Sequence, residues 1–352
     1  MNSLPLIHDF DYADLAQQFK TWGQPSYRAA QLWEGLYQHL WTRAEEFSNF
    51  PKELRIKLEE NYTFSHLQEA RVQHSSDGQT HKVLFALPDG QAIETVLMRY
   101  AQRRTLCIST QAGCAMGCVF CATGQMGFRR NLSSGEIVEQ VLYFARQLRT
   151  EGERVTNVVL MGMGEPFHNY AASLAAVDRL SHPDGFGLGA RRFTISTVGL
   201  IPAIRRFTAE KRQTGLAISL HAVDDELRTS MLPANQRYPI AELMQACRDY
   251  VRETGRRITF EWALIQNVND SPEQARKLAQ LLKSLNCHVN VIPLNPTRGY
   301  AGQRSTRERV AEFRDILQAA GISCTVRVRR GIDIQAGCGQ LAEHALASAS
   351  AA

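Results

Sequence analysis

No stretch of this chain stays apolar for the roughly 20 residues that a membrane-spanning helix needs, so no span is expected. The opening residues, Met1-Asn-Ser-Leu-Pro-Leu-Ile-His-Asp9, hold neither a basic cluster nor a long apolar run, and a secretory leader needs both. No internal repeat is visible beyond a strand–helix alternation. Neither sign of charge dominates. The formal excess is only +5, which permits nucleic-acid binding without demanding it. Cysteine is not scarce, but its spacing is not that of a small secreted disulfide framework. These absences point to a cytoplasmic protein, away from any membrane, whose thiols are reduced.

The 352 residues suffice for one large domain plus a small one. An apolar content of 44% supports a sizeable core. The densest chemical signal is Cys114-Ala-Met-Gly-Cys118-Val-Phe-Cys121. Three thiolates on one short loop can hold three irons of a 4Fe-4S cluster and leave the fourth iron open to another ligand. A structural zinc site would want a fourth protein ligand, and no fourth cysteine follows nearby.

Residues 1–77 read as a helical domain, with helix-period apolar spacing from Tyr27 to Tyr37. Residues 78–100 read as a β-hairpin, in which Lys82–Leu87 and Ala92–Met98 flank Pro88-Asp89-Gly90. From 101 to 344 the chain alternates, with strand candidates at 105–110, 156–161, 192–197, 216–221, 257–264, 288–294 and 323–328. Ser133-Ser-Gly-Glu136 is a capping box, Ser271-Pro272 opens another helix, and Ser305-Thr-Arg-Glu308 repeats the box before the last one. Residues 345–352 read as a frayed tail. The alternation predicts an α/β fold whose parallel sheet curls into a full or partial barrel.

In such a barrel, chemistry collects at the carboxyl ends of the strands. Six segments fall there: the three-cysteine loop, Met161–Pro166, Ser196-Thr197, Ser219-Leu220-His221, Ile292–Pro296 and the loop Gly331–Gln340. Each has a plainer reading as a turn, a strand end or a structural histidine. Asn295 sits between two prolines, which suits a turn or a ligand contact. Cys247, Cys287 and Cys324 are expected in the core. Cys107, seven residues before the cluster motif, also reads as core when taken alone. Cys338, between Gly337 and Gly339, sits on a loop that can move and expose its thiol. Basic groupings at Arg103-Arg104, Arg129-Arg130, Arg191-Arg192, Arg205-Arg206, Lys211-Arg212 and Arg327-Val-Arg329-Arg330 suggest a phosphate-contacting rim.

The chain resembles the RlmN/Cfr family of radical S-adenosylmethionine (SAM) RNA methyltransferases over nearly its whole length. The resemblance rests on Ile93-Glu94-Thr95-Val96, Gln111-Ala-Gly-Cys114, Phe120-Cys121-Ala-Thr-Gly124, Gly127-Phe-Arg-Arg-Asn131-Leu132, Met163-Gly-Glu-Pro166, Ser219-Leu-His221, Asn295-Pro296, Gly331-Ile-Asp-Ile and Cys338-Gly-Gln-Leu341. It implies a partial (β/α)6-type radical SAM barrel with a small N-terminal helical RNA-binding domain and a β-hairpin extension. It implies one 4Fe-4S cluster per subunit on Cys114, Cys118 and Cys121. SAM, two molecules per turnover, would be held by Gly164, Glu165, Ser196, Ser219, Leu220, His221 and Asn295. Cys338 would carry a methyl group, and a 5′-deoxyadenosyl radical would activate that methyl for addition to an adenine ring carbon. Glu94 would remove the ring proton, and Cys107 would release the product by forming a transient disulfide with Cys338. The implied partners are 23S rRNA at adenosine 2503, tRNA at adenosine 37, and an electron donor such as flavodoxin. One departure is Gly337, where the family commonly has alanine.

Two branches share these motifs, one methylating carbon 2 of the adenine and the other, of Cfr type, carbon 8. Proline after glutamate in Met163-Gly164-Glu165-Pro166 leans toward the carbon-2 branch. A rival of another class is a zinc-bound RNA-binding module without catalysis. A third is a radical SAM enzyme acting on a protein or small molecule.

Overall fold

The computed structural model of the chain describes residues 4–327 and 330–341, so Arg329 and the tail 345–352 lie outside the described residues. The strands are β1 (Gln68–His74), β2 (Thr80–Ala86), β3 (Ala92–Tyr100), β4 (Arg103–Cys107), β5 (Gln111–Gly113), β6 (Phe128–Asn131), β7 (Asn157–Leu160), β8 (Phe193–Thr197), β9 (Gly215–Ser219), β10 (Ile258–Leu264), β11 (Cys287–Pro293) and β12 (Ser323–Val326). One sheet runs β1-β2-β3-β4-β7-β8-β9-β10-β11-β12, and β5 and β6 form a separate pair. From β1 to β4 the pairing is antiparallel. From β4 to β12 it is parallel, with helices in the crossovers as parallel pairing requires. The sheet keeps two edges, so the barrel is partial.

β1 is absent from the sequence reading. Its residues are exposed or half-exposed throughout, so no apolar alternation marks it. It widens the hairpin to three strands and moves residues 68–74 from the helical domain to the sheet. The helix Ser134–Thr150 starts as its capping box predicts: Glu136 N donates to Ser133 Oγ at 3.1 Å and Ser133 N to Glu136 Oε2 at 2.9 Å. Ser271 likewise caps Pro272–Leu281. The last helix, Arg307–Ala319, is capped by Thr306 and not by Ser305. Thr306 is already extended (φ −65°, ψ 161°), so the helix begins one residue later and Ser305 turns inward, buried.

The N-terminal helices Tyr12–Thr21, Ser26–Glu34 and Lys52–Asn61 share one continuous apolar core with the barrel. Polar ties reinforce the junction. Gly135 N donates to Asp9 Oδ1 at 2.7 Å, and Arg179 donates to the His8 and Asp9 carbonyls at 2.6 and 3.0 Å. The small domain is therefore fixed to the barrel.

The arginine pairs do not form one rim. Arg103-Arg104 open β4 and Arg191-Arg192 precede β8, and parallel strands put their amino ends on the edge opposite the site. Arg104 is spent on Glu153, and Arg212 on Asp178 and Glu210. Arg129-Arg130 lie on β6, which pairs with β5 just past the carboxyl end of β4, with Arg130 engaged by Glu136 and Asp89. Among the described residues no helix is long and apolar enough to cross a membrane.

Candidate active site

All six segments named from the sequence open on one cleft, with a cavity of ≈ 190 Å³. Cys107, Cys114, Cys118, Cys121, Gly164, Glu165, Ser196, Ser219, His221, Asn295 and Cys338 line it. Leu220 and Glu94 do not. Leu220 is fully buried and contributes backbone only, accepting from Arg228 Nε at 3.0 Å.

The three-cysteine loop rests on a small apolar cluster of Val198, Met231, Leu232, Ile265 and Leu294, separate from the main core. Burial pushes the Cys114 thiol up to about 12 and raises Cys118 well above its usual range. After burial, the neighbouring thiols of the loop are the next influence on Cys118. Gly124 lets the following helix fold back, since a Cβ there would meet Cys118 N and O at 2.9 Å. Among the described residues, no three His, Cys, Asp or Glu side chains converge as ligands of a single ion. A 4Fe-4S cluster asks for something different, because each thiolate takes its own iron. Three soft donors on one loop, facing a cleft and shielded by apolar side chains, fit that demand.

Glu165 braces the mouth. Its Oε1 accepts from Phe167 N at 3.0 Å and its Oε2 from Val198 N at 2.8 Å, joining the loops after β7 and β8. Full burial nevertheless pushes it up to about 7. The adjacent Gly164 has φ +102°, and a Cβ would meet Gln111 Cβ at 2.6 Å, so only glycine fits. His221 Nδ1 accepts from Ala263 N at 2.9 Å, which leaves the proton on Nε2. Burial lowers His221 to about 3, so the ring is neutral at ordinary pH.

The loop carrying Cys338 is stitched down on three sides. Asn295 Nδ2 donates to the Cys338 carbonyl at 3.1 Å and Gln340 Nε2 to Pro296 O at 3.0 Å. Ala122 N and Thr123 Oγ1 donate to Gly339 O and Leu341 O at 2.8 and 2.7 Å. From the hairpin, Ser76 N reaches Asp333 Oδ2 at 2.7 Å and Lys82 Nζ reaches Gln335 O at 3.3 Å. Cys338 remains exposed to the cleft. Burial in the protein pushes Cys107 up to about 12, with Cys338 the next contributor, while Arg327 opposes the rise in both thiols. Glu94 lies under this loop, buried, with Oε1 2.7 Å from Lys82 Nζ.

The sequence reading missed three side chains. Arg228 is fully buried and donates to the carbonyls of Val198 and Ser219 at 2.6 and 3.0 Å as well as to Leu220, tying the ends of β8 and β9 beneath the cysteine loop. Nothing local marks it, since it sits mid-helix. Asn269 bridges His221 O and Ala263 O at 2.8 and 2.7 Å. Lys82 had a signal, a lysine on the inward face of a predicted hairpin.

Comparison with known proteins agrees with this geometry. The model of the radical SAM superfamily matches residues 108–279, and that of the ribosomal RNA large subunit methyltransferase N-terminal domain matches residues 6–63. The chain is 51% identical to the dual-specificity RNA methyltransferase RlmN 1 of Myxococcus xanthus, over 95% of this chain and 93% of that one. It is 48% identical to the ribosomal RNA large subunit methyltransferase N of Nitrosopumilus maritimus, over 91% and 93%. A crystal structure of a radical SAM methyltransferase from Sphaerobacter thermophilus superposes with a TM-score of 0.94 at 50% identity, covering 96% of this chain and 99% of that one. With a three-cysteine loop facing a braced cleft and such likeness from end to end, the chain belongs to the RlmN family of radical SAM RNA methyltransferases.

Proposed function

We propose that this protein methylates carbon 2 of adenine at position 2503 of 23S rRNA and at position 37 of tRNA, in the cytoplasm, with a flavodoxin-type electron donor. The observation that carries the reading is that Cys107 and Cys338 share one cleft with the three-cysteine loop. A methyltransferase that only moved a methyl cation would need neither.

Cys114, Cys118 and Cys121 hold the cluster, and Gly164, Glu165, Ser196, Ser219, His221 and Asn295, with the backbone of Leu220, form the SAM pocket. When bound, cluster and SAM supply abstraction of a hydrogen atom from an unactivated methyl group, hard chemistry that belongs to the cofactor. Cys338 carries that methyl, taken from one SAM, and a second SAM is used in each turnover. Glu94 accepts the ring proton. Cys107 then forms a disulfide with Cys338 and frees the RNA, in keeping with the catalytic use of disulfides in reducing compartments. The rim residues Phe128, 40% exposed, and Arg129 suit a stacked base and a phosphate.

Mass spectrometry of nucleosides from RNA treated with the enzyme tests the reading. 2-Methyladenosine is the expected product. 8-Methyladenosine alone would replace the proposal with the carbon-8 reaction.

A further inference from the structure

In the β2–β3 register, Lys82 stands opposite Val96, and Leu84 opposite Glu94. Side chains two apart on a strand share a face, so Lys82 and Glu94 are diagonal neighbours on the face that also sends Met98 into the cleft. A lysine there gives up the water that solvates its charge, which is unfavourable unless the charge is paired. Lys82 is 5% exposed and Glu94 4%. The ammonium lies 2.7 Å from Glu94 Oε1 and donates to the Gln335 carbonyl at 3.3 Å. Gln335 is three residues before Cys338 and has φ +53°, so this stretch of the loop is sharply bent. One buried cation thus touches both the carboxylate and the loop that bears the thiol.

We propose that Lys82 is a positioning residue for proton removal. The inference rests on the reading of Glu94 as the base. The Lys82 ammonium keeps that carboxylate ionised and aimed, and by holding Gln335 it fixes the spacing between Glu94 and Cys338. When Glu94 takes the proton from the adenine carbon, the electron pair of the C–H bond stays with the RNA adduct and the carboxyl becomes neutral. Lys82 then keeps the Gln335 carbonyl as an acceptor, so the loop does not lose its tether. Among the described residues, the charged groups nearest this face besides the pair itself include Arg327 and Arg330, which line the cleft, and Asp333 on the loop, engaged by Ser76 N.

The test compares full-length, cluster-loaded Lys82→Met, Lys82→Arg and Glu94→Gln with wild type in two half-reactions. Methylation of Cys338 by SAM involves no ring proton and no Glu94, and reads folding and delivery of the thiol to SAM. Formation of methylated RNA reads proton removal. Lys82→Met is expected to methylate Cys338 normally and to form product at least ~10-fold more slowly. Its acid limb should move up by about one pH unit, because a buried carboxylate that loses an adjacent cation protonates at higher pH. Lys82→Arg should restore most of the rate and the profile. In cluster-free protein, infrared titration of the Glu94 carboxylate, isolated by difference from Glu94→Gln, should show the same upward move. A Lys82→Met enzyme with wild-type rate and profile overturns the inference. So does parallel loss of Cys338 methylation, which would make Lys82 a structural brace. Full turnover by Glu94→Gln removes the reading of Glu94 as base itself. An inactive Glu94→Gln beside a normal Lys82→Met removes only the inference.

Discussion

Asn295 Nδ2 donates to the main-chain carbonyl of Cys338 at 3.1 Å. The asparagine after β11 therefore holds the thiol-bearing loop directly, whatever it also does for a ligand. A neutral hydrogen bond is worth about 1 kcal/mol net, roughly fivefold in an opening equilibrium. In cluster-free protein, Asn295→Ala should let iodoacetamide label Cys338 about fivefold faster, read by peptide mass spectrometry. Gly337→Ala should act in the same direction, since its Cβ would meet Asn295 Nδ2 at 2.7 Å and Gln340 Oε1 at 2.6 Å. Unchanged labelling in both variants would mean that other ties hold the loop.

Glu165 should leave a mark on the pH dependence of folding. Burial raises it from 4.5 to about 7, so the folded chain binds this proton more tightly than the unfolded chain. The linked stabilisation is full below pH 4.5 and is lost as pH rises through about 7. Its size is on the order of 3 kcal/mol. Glu139 is raised into the same window, also by burial, so only a difference between proteins isolates Glu165. Urea unfolding of cluster-free Glu165→Gln at pH 5 and pH 8 should show a smaller change in stability than wild type. An equal change would place the proton elsewhere.

Arg228 should matter for stability more than its mid-helix position suggests. Replacing it with methionine keeps much of the volume but takes the guanidinium donor from the carbonyls of Val198 and Ser219 and from the Asn235 side chain, while Leu220 O keeps Ala222 N. Buried acceptors stripped of partners cost about 1–3 kcal/mol each, so Arg228→Met should lose at least ~3 kcal/mol in urea unfolding. Iron uptake should fall too, because Arg228 joins the strand ends beneath the cysteine loop. A loss below ~1 kcal/mol would mean that water replaces the guanidinium.

Cys107→Ala separates the two-cysteine scheme from single-thiol alternatives. With no partner to form a disulfide with Cys338, the protein should accumulate covalently joined to RNA, visible as a nuclease-sensitive shift on a denaturing gel. Turnover at the wild-type rate without an adduct would count against the scheme.

Much of this protein was written locally. The Cys114, Cys118 and Cys121 spacing, the caps at Ser133 and Ser271, and the strand–helix alternation are short-range patterns. Short-range patterns survive being read one window at a time, and with parallel strands they placed six segments on one mouth. Tertiary structure decided what depends on partners distant in the chain. It made Gln68–His74 an edge strand although its exposed residues carry no alternation. It turned Arg104 and Arg212 into surface ion-pair partners of acids distant in the chain. It occupied the Glu165 carboxylate with the backbone of two loops. It also set Glu94 against Lys82 beneath the Cys338 loop. The physical reason is the same in each case. A charge or an unpaired strand edge is satisfied by whatever the fold brings to it, and a residue's neighbours in sequence do not reveal that partner.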